Sequence, residues 1–111
     1  MTDSETRTPA QRMFGDFLPK MAELTDDVLF GDVWAREDLS PRDRSLATVS
    51  ALIAGGNTEQ LASHLRRARD NGLTEAEIKE VLVHLAFYCG WPKAISAINV
   101  AKQVLAEAPA E

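Results

Sequence analysis

Residues 73–90 read Leu-Thr-Glu-Ala-Glu-Ile-Lys-Glu-Val-Leu-Val-His-Leu-Ala-Phe-Tyr-Cys-Gly, and this stretch decides the fold. Thr74 and Glu77 stand three apart, the spacing of a capping box that opens a helix, and Gly90 is the residue that ends one. Between them Ile78, Val81, Leu82, Leu85 and Cys89 recur at steps of three and four, which is one face of a helix and not the alternation of a strand. From Val81 to Cys89 only His84 interrupts the apolar run. A helix in a small monomer normally keeps a polar face, so this one is expected either at the centre of a bundle or against another subunit.

Working outward, the neighbouring segments carry helix signals of the same kind. Upstream, Asn57 or Thr58 caps a helix that ends at Gly72. Before it, Ser40-Pro41 supplies an N-cap with proline at the first helical position, and Gly55-Gly56 stops that helix. Leu46 to Ala54 is apolar apart from Thr48 and Ser50, so burial nearly all round is expected. Downstream, Trp91-Pro92 opens a last helix with Ile95, Ile98, Ala101 and Leu105 on one face. Nearer the N-terminus, Met13, Phe14, Phe17, Leu18 and Met21 mark an amphipathic helix that Pro19 breaks or bends. Thr25 with Asp26 and Asp27 is expected to cap a short helix burying Leu29, Phe30, Val33 and Trp34. No segment alternates as a strand does, and no repeat is visible. The expected fold is all-α, about six helices. Residues 1–8 read as an arm, 9–38 as N-terminal helices in one domain with a core over 39–106, and 107–111 as a tail.

Composition agrees and narrows the function classes. The chain has 111 residues, 45% hydrophobic and 26% charged, which suits one globular domain. Residues 1–38 carry 9 acidic and 4 basic side chains and so hold the whole net charge of −5, leaving residues 39–111 balanced. That distribution repels a phosphate backbone, so no nucleic-acid partner is expected, and Arg66-Arg67-Arg69 reads as the solvated side of a helix. The start Met-Thr-Asp-Ser-Glu lacks the apolar core of a secretion signal, and no apolar stretch approaches the ~20 residues of a membrane span. A cytoplasmic protein without a membrane partner is the expectation. Cys89 is the only cysteine, which excludes an internal disulfide. Two histidines without a carboxylate cluster at ligand spacing argue against a metal site, and no glycine-rich phosphate loop is present.

Polar groups on two helices remain to be explained. Asn57, Gln60 and His64 fall along one strip of the helix that begins near Thr58. On the Thr74 helix, Glu80, His84 and Tyr88 stack at steps of four along the edge of the apolar face. Taken singly, each has a structural explanation: a hydrogen-bonded core histidine, a helix-stabilising Glu80–His84 pair, packing aromatics at Tyr88 and Trp91.

Leu39-Ser40-Pro41-Arg42-Asp43-Arg44-Ser45-Leu46, Glu59-Gln60-Leu61-Ala62-Ser63-His64, Asn71-Gly72-Leu73-Thr74-Glu75-Ala76-Glu77-Ile78, Glu80-Val81-Leu82-Val83-His84 and Tyr88-Cys89-Gly90-Trp91-Pro92-Lys93-Ala94 occur in the order and spacing of a known family. Together they span Leu39 to about Val104 and closely resemble the carboxymuconolactone decarboxylase family, which shares its fold with alkylhydroperoxidase D. The resemblance implies a helical subunit in a homotrimer or homohexamer, with active sites at or near subunit contacts. The hydroperoxidase branch has a Cys-x-x-Cys pair separated by three residues from a histidine. With that histidine on His64, Asn57 and Gln60 occupy the thiol positions, and neither amide can form a thiolate, whatever peroxiredoxin-type label the wider family carries.

The decarboxylase branch lacks the thiols, keeps the histidine and has a Tyr-x-Gly-x-Pro segment, as here at Tyr88–Pro92. It implies cofactor-free loss of carbon dioxide from 4-carboxymuconolactone to the 3-oxoadipate enol-lactone of the protocatechuate branch of aromatic degradation. Such chemistry needs a cation for substrate carboxylates, a donor at the lactone oxygen and a proton donor for the ring carbon. On this reading His64 is the proton donor, its ordinary pKa of about 6.5 being tunable around neutrality. Arg44 is the carboxylate clamp and Glu59 orients a neighbouring group. His84 and Tyr88 donate to the lactone oxygen, and Trp91 contacts substrate. The competing readings are a family member kept as a non-catalytic oligomeric ligand-binding module, and a one-cysteine antioxidant using Cys89.

Overall fold

The computed structural model describes residues 6–107, and these are all-α, with no strand among them. The chain divides into two compact units, Met1–Leu39 and Ser40–Glu111. Residues 1–5 of the expected arm and 108–111 of the expected tail lie outside the described residues.

In the first unit, Arg7 donates to the Asp16 carboxylate at 2.9 Å, and the Thr8 hydroxyl donates to Asp26 at 2.6 Å. Gln11–Gly15 forms one wide π-type turn, and the chain breaks at Asp16–Leu18 before helix α1, Pro19–Glu23. Pro19 thus opens a second helix where its missing N–H costs nothing. The break separates the two halves of the expected stripe, so its 3.6 period is not continuous. Met13 and Phe17 are 79% and 89% exposed, while Ala10 and Ala22 are the buried residues here. The expected helix start at Thr25 is also corrected. The helix is already running from Pro19, and the Thr25 hydroxyl turns back to the Met21 carbonyl at 2.8 Å, as a threonine inside a helix does. Leu24–Val33 continues it with π winding, in which the Trp34 N–H reaches Leu29 C=O at 2.9 Å. Leu29 and Val33, expected inside, are exposed, while Phe30 and Trp34 stack at 6.0 Å.

The second unit is four helices, α2 (Pro41–Gly55), α3 (Thr58–Asp70), α4 (Glu75–Cys89) and α5 (Trp91–Leu105). Their ends follow local chemistry. Ser40 Oγ accepts the Asp43 N–H at 3.1 Å. Thr74 Oγ1 accepts the Glu77 N–H at 3.1 Å while Glu77 accepts the Thr74 N–H at 3.0 Å, the reciprocal box expected. After α3, Gly72 takes φ +104°, open to glycine at little cost, and lets the Leu73 N–H close on Ala68 C=O at 2.9 Å. Leu73 is thereby driven into the core.

That core joins Val49 and Ile53 of α2, Leu61, Leu65 and Ala68 of α3, Ile78 and Leu82 of α4, and Ala97, Ala101 and Val104 of α5. Helices α2 and α3 form an antiparallel pair. They are closed at one end by the Gly56 turn, and at the other by Asn71, whose amide donates to the fully buried Ser45 Oγ at 2.9 Å. Helix α3 packs chiefly on α2 and α5, and α4 chiefly on α5. Two burial expectations change. Ala47 and Ala51 leave α2 with an exposed side. On α5 the buried face is Ala94, Ala97, Ala101 and Val104, because small side chains let helices approach closely, and Ile95 and Ile98 face outward. Helix α4 is not sheathed on all sides either: Val83, Phe87 and Tyr88 are exposed.

Candidate active site

His64 sits at the margin of the α3 core stripe. Leu61, Leu65 and Ala68 hold that stripe in the interior, and they fix the imidazole half in and half out, with Nδ1 sealed from solvent. Burial disfavours the charged ring and the nearby Arg67 guanidinium adds to this, so the His64 pKa lies below the ordinary histidine value. The imidazole is therefore mainly neutral at pH 7. Gln60 and Arg67, one turn to either side, are exposed. Asn57 occupies the N-cap position of α3 without capping it, because its amide lies over Gly55, where a Cβ would stand.

The other expected site residues are dispersed. Glu59 lies in the first turn of α3, where a negative charge suits the helix end, but points about 140° away from His64 around the axis. Arg44 is half-buried in α2 beside Ser45, at the Asn71 end of the α2–α3 pair. His64 precedes Asn71 by seven residues, roughly 10 Å of helix. On α4, His84 and Tyr88 rings lie 4.7 Å apart at 33°. His84 and Glu80 line a cleft of about 480 Å³ between α2 and α4, floored by Leu46, Leu73, Val81 and Leu85. Trp91 belongs to a different concavity, an apolar groove of about 640 Å³ between α4 and α5, where it meets Phe87 edge to face at 5.4 Å. His64, Glu59 and Arg44 line neither. One chain therefore brings Glu80 and His84 to one cleft, with Tyr88 against His84, and His64 is not among the residues that line that cleft.

Sequence reading passed over Arg42, which crosses from α2 to pair with Glu77 of α4 at the rim of the cleft. The signal was its position. A cation in the first turn of a helix opposes the macrodipole, so a partner elsewhere was to be expected. Glu77 is held below the usual carboxylate range first by the Thr74 backbone N–H, with Arg42 adding to it. Cys89 Sγ donates to Leu85 C=O at 2.9 Å and packs against the core, which is a structural and not a nucleophilic setting. Among the described residues no three His, Cys, Asp or Glu side chains gather as a metal site would require, and no helix is long and apolar enough to cross a membrane.

Comparison with known proteins gives a consistent result. The family model described as carboxymuconolactone decarboxylase matches residues 19–103, beginning twenty residues before the Leu39 limit read from motifs. A 4-carboxymuconolactone decarboxylase of Acinetobacter baylyi is 35% identical over 89 residues, 80% of this chain and 66% of the relative. Nitrosuccinic acid decarboxylase of Metarhizium robertsii is 39% identical over 83 residues, 75% of this chain and 58% of the relative. An uncharacterized 15.0 kDa protein of Paracoccus denitrificans is 32% identical over 83 residues, 73% of this chain and 62% of the relative. The chain thus spans about three-fifths to two-thirds of the length of these relatives.

Proposed function

Since this chain belongs to the carboxymuconolactone decarboxylase family, we propose that it is a cofactor-free carboxy-lyase acting on 4-carboxymuconolactone or a related small carboxylated lactone. The substrates named for two relatives support the reaction type. In both acids a departing carboxylate can leave its electron pair on a carbon from which an acceptor draws it, through the ring double bond to a lactone carbonyl in one and directly to a nitro group in the other. In the lactone the bond to the carboxylate carbon breaks and carbon dioxide departs. The electron pair spreads through the ring double bond to the lactone carbonyl oxygen as an oxyfuran anion. A proton delivered to the ring carbon completes the product.

The observation that carries this reading is His64, a half-buried imidazole on the rim of α3 with polar neighbours on its open side. With its pKa lowered by burial and by Arg67, it is mainly neutral at pH 7. A bound carboxylate offsets the influences that lower its pKa and loads it as a proton donor. His84 and Tyr88, stacked on α4, are the proposed donors to the developing oxyanion, with Trp91 contacting substrate and Glu59 orienting a neighbour. His64 lines neither the cleft of His84 nor the groove of Trp91, and on this reading a second copy joins them to it. Self-association into a homotrimer or homohexamer is accordingly part of the proposal.

The test is turnover. The purified, assembled protein is mixed with 4-carboxymuconolactone and, separately, with nitrosuccinic acid, following ultraviolet absorbance and carbon dioxide release. Turnover of the lactone is expected. Binding of both acids without release of carbon dioxide would replace the enzyme with a ligand-binding module.

A further inference from the structure

Three arginines follow His64 within five residues, and the fold divides them. Arg66 presents a two-pronged pair to Glu107, both contacts at 2.9 Å, and Arg69 donates to the Val104 carbonyl at 3.0 Å. Both are turned toward the C-terminal end of α5. Around the α3 axis Arg66 stands about 160° from His64, whereas Arg67 stands about 60° from it, on the opposite flank of the buried stripe. Arg67 is exposed, and helical side chains lean toward the helix N-terminus, the direction in which the turn holding His64 lies. Gln60 stands about 40° from His64 one turn earlier and is also exposed. The electrostatic influence of Arg67 on the imidazole is a second sign of the same proximity.

A run of arginines on an amphipathic helix ordinarily reads as solvated charge. Here two of the three are engaged with α5, and the third neighbours a half-buried imidazole with a primary amide on the far side. A planar guanidinium and an amide N–H are the donors that a carboxylate accepts from. We propose that Arg67, with Gln60, binds a carboxylate of a small dicarboxylic acid beside His64, so that Arg67 and not Arg44 is the anion clamp of this site. The carboxylate held is the one the substrate keeps. A guanidinium fixed on the departing group would stabilise the ground state more than the transition state, in which that charge is leaving, and so would slow the reaction. The retained carboxylate carries the same charge throughout.

This inference rests on the decarboxylase reading for the identity of the substrate, so its test begins with an unreactive dicarboxylate, succinate. The assembled wild type, Arg67→Gln, Arg67→Lys and Arg66→Gln are titrated with succinate, following the His64 ring signals by NMR and the affinity by calorimetry. In the wild type the His64 signals move and saturate. The Kd rises about 10- to 100-fold in Arg67→Gln, the loss of one charge-assisted pair. Arg67→Lys falls between, because an ammonium keeps the charge without the fork. Arg66→Gln stays within about twofold of wild type, being an exposed pair on the other flank. Equal affinity in wild type and Arg67→Gln, an equal loss in Arg66→Gln, or unmoved His64 signals at ~100 mM succinate would each overturn the proposal. On a substrate that turns over, Arg67→Gln raises KM with little change in kcat. Arg67-dependent succinate binding in a protein that releases no carbon dioxide would keep the clamp and remove the decarboxylase.

Discussion

The position of His64 depends on which face of α3 is buried, and Leu65→Ala tests that face directly. Leu65 is 1% exposed and lies in the cluster with Val49, Ile53 and Ile78, so truncation leaves a cavity lined by side chains that cannot collapse into it. Leucine-to-alanine changes at such sites cost about 3–5 kcal/mol. A chain of 111 residues has an unfolding entropy of about 0.23 kcal/mol per kelvin, so the melting temperature should fall by about 13–22 °C. The assay is thermal unfolding by circular dichroism at one fixed protein concentration, because assembly would otherwise shift the midpoint. Leu65→Met, which nearly conserves volume, should cost less than about 1.5 kcal/mol and move the midpoint by less than about 7 °C. A fall below about 4 °C in Leu65→Ala would mean that Leu65 is not in the core. Helix α3 would then be rotated, and the His64, Gln60 and Arg67 arrangement would go with it.

His64→Ala should lower kcat on the lactone by roughly 10²–10⁴ with a smaller change in KM, measured on protein shown to keep its assembly; full activity would pass the acid role to His84. Stability should fall as pH drops below about 6.5, because the unfolded His64 takes up a proton there while the buried ring resists until its lowered pKa is reached. Urea midpoints between pH 8 and pH 5 should show this slope in wild type and a flatter one in His64→Gln, and identical slopes would refute it. Dithiol-dependent peroxide turnover should be absent and unchanged by Cys89→Ser, since Asn57 and Gln60 stand where a thiol pair would be; a true two-cysteine cycle would overturn the alignment at His64. Light scattering should return a trimer or hexamer mass, with Phe87→Ala lowering it, because Phe87 is 75% exposed on the bare face of α4; a mass near 12.2 kDa across micromolar concentrations would remove the assembly.

The helices of the second unit were legible because their ends are written in neighbouring residues. Ser40-Pro41, the Thr74–Glu77 box and the glycines at 56, 72 and 90 act within one turn, so no distant contact can override them. The alignment of His64 with Gln60 was legible for the same reason, being a matter of helical spacing alone. What lay beyond the sequence were properties that depend on which face meets which neighbour. The stripe at Met13–Met21 had the period of a buried helix, yet the break at Asp16–Leu18 divides it. Ile95 and Ile98 looked like core, but the alanines of α5 allow closer packing, and burial went to that face. The three arginines after His64 are indistinguishable in sequence. Only the position of α5 turned Arg66 and Arg69 away and left Arg67 beside the imidazole, because the partner that sorts them, the Val104–Glu107 end of the chain, lies some forty residues downstream and meets them only on folding.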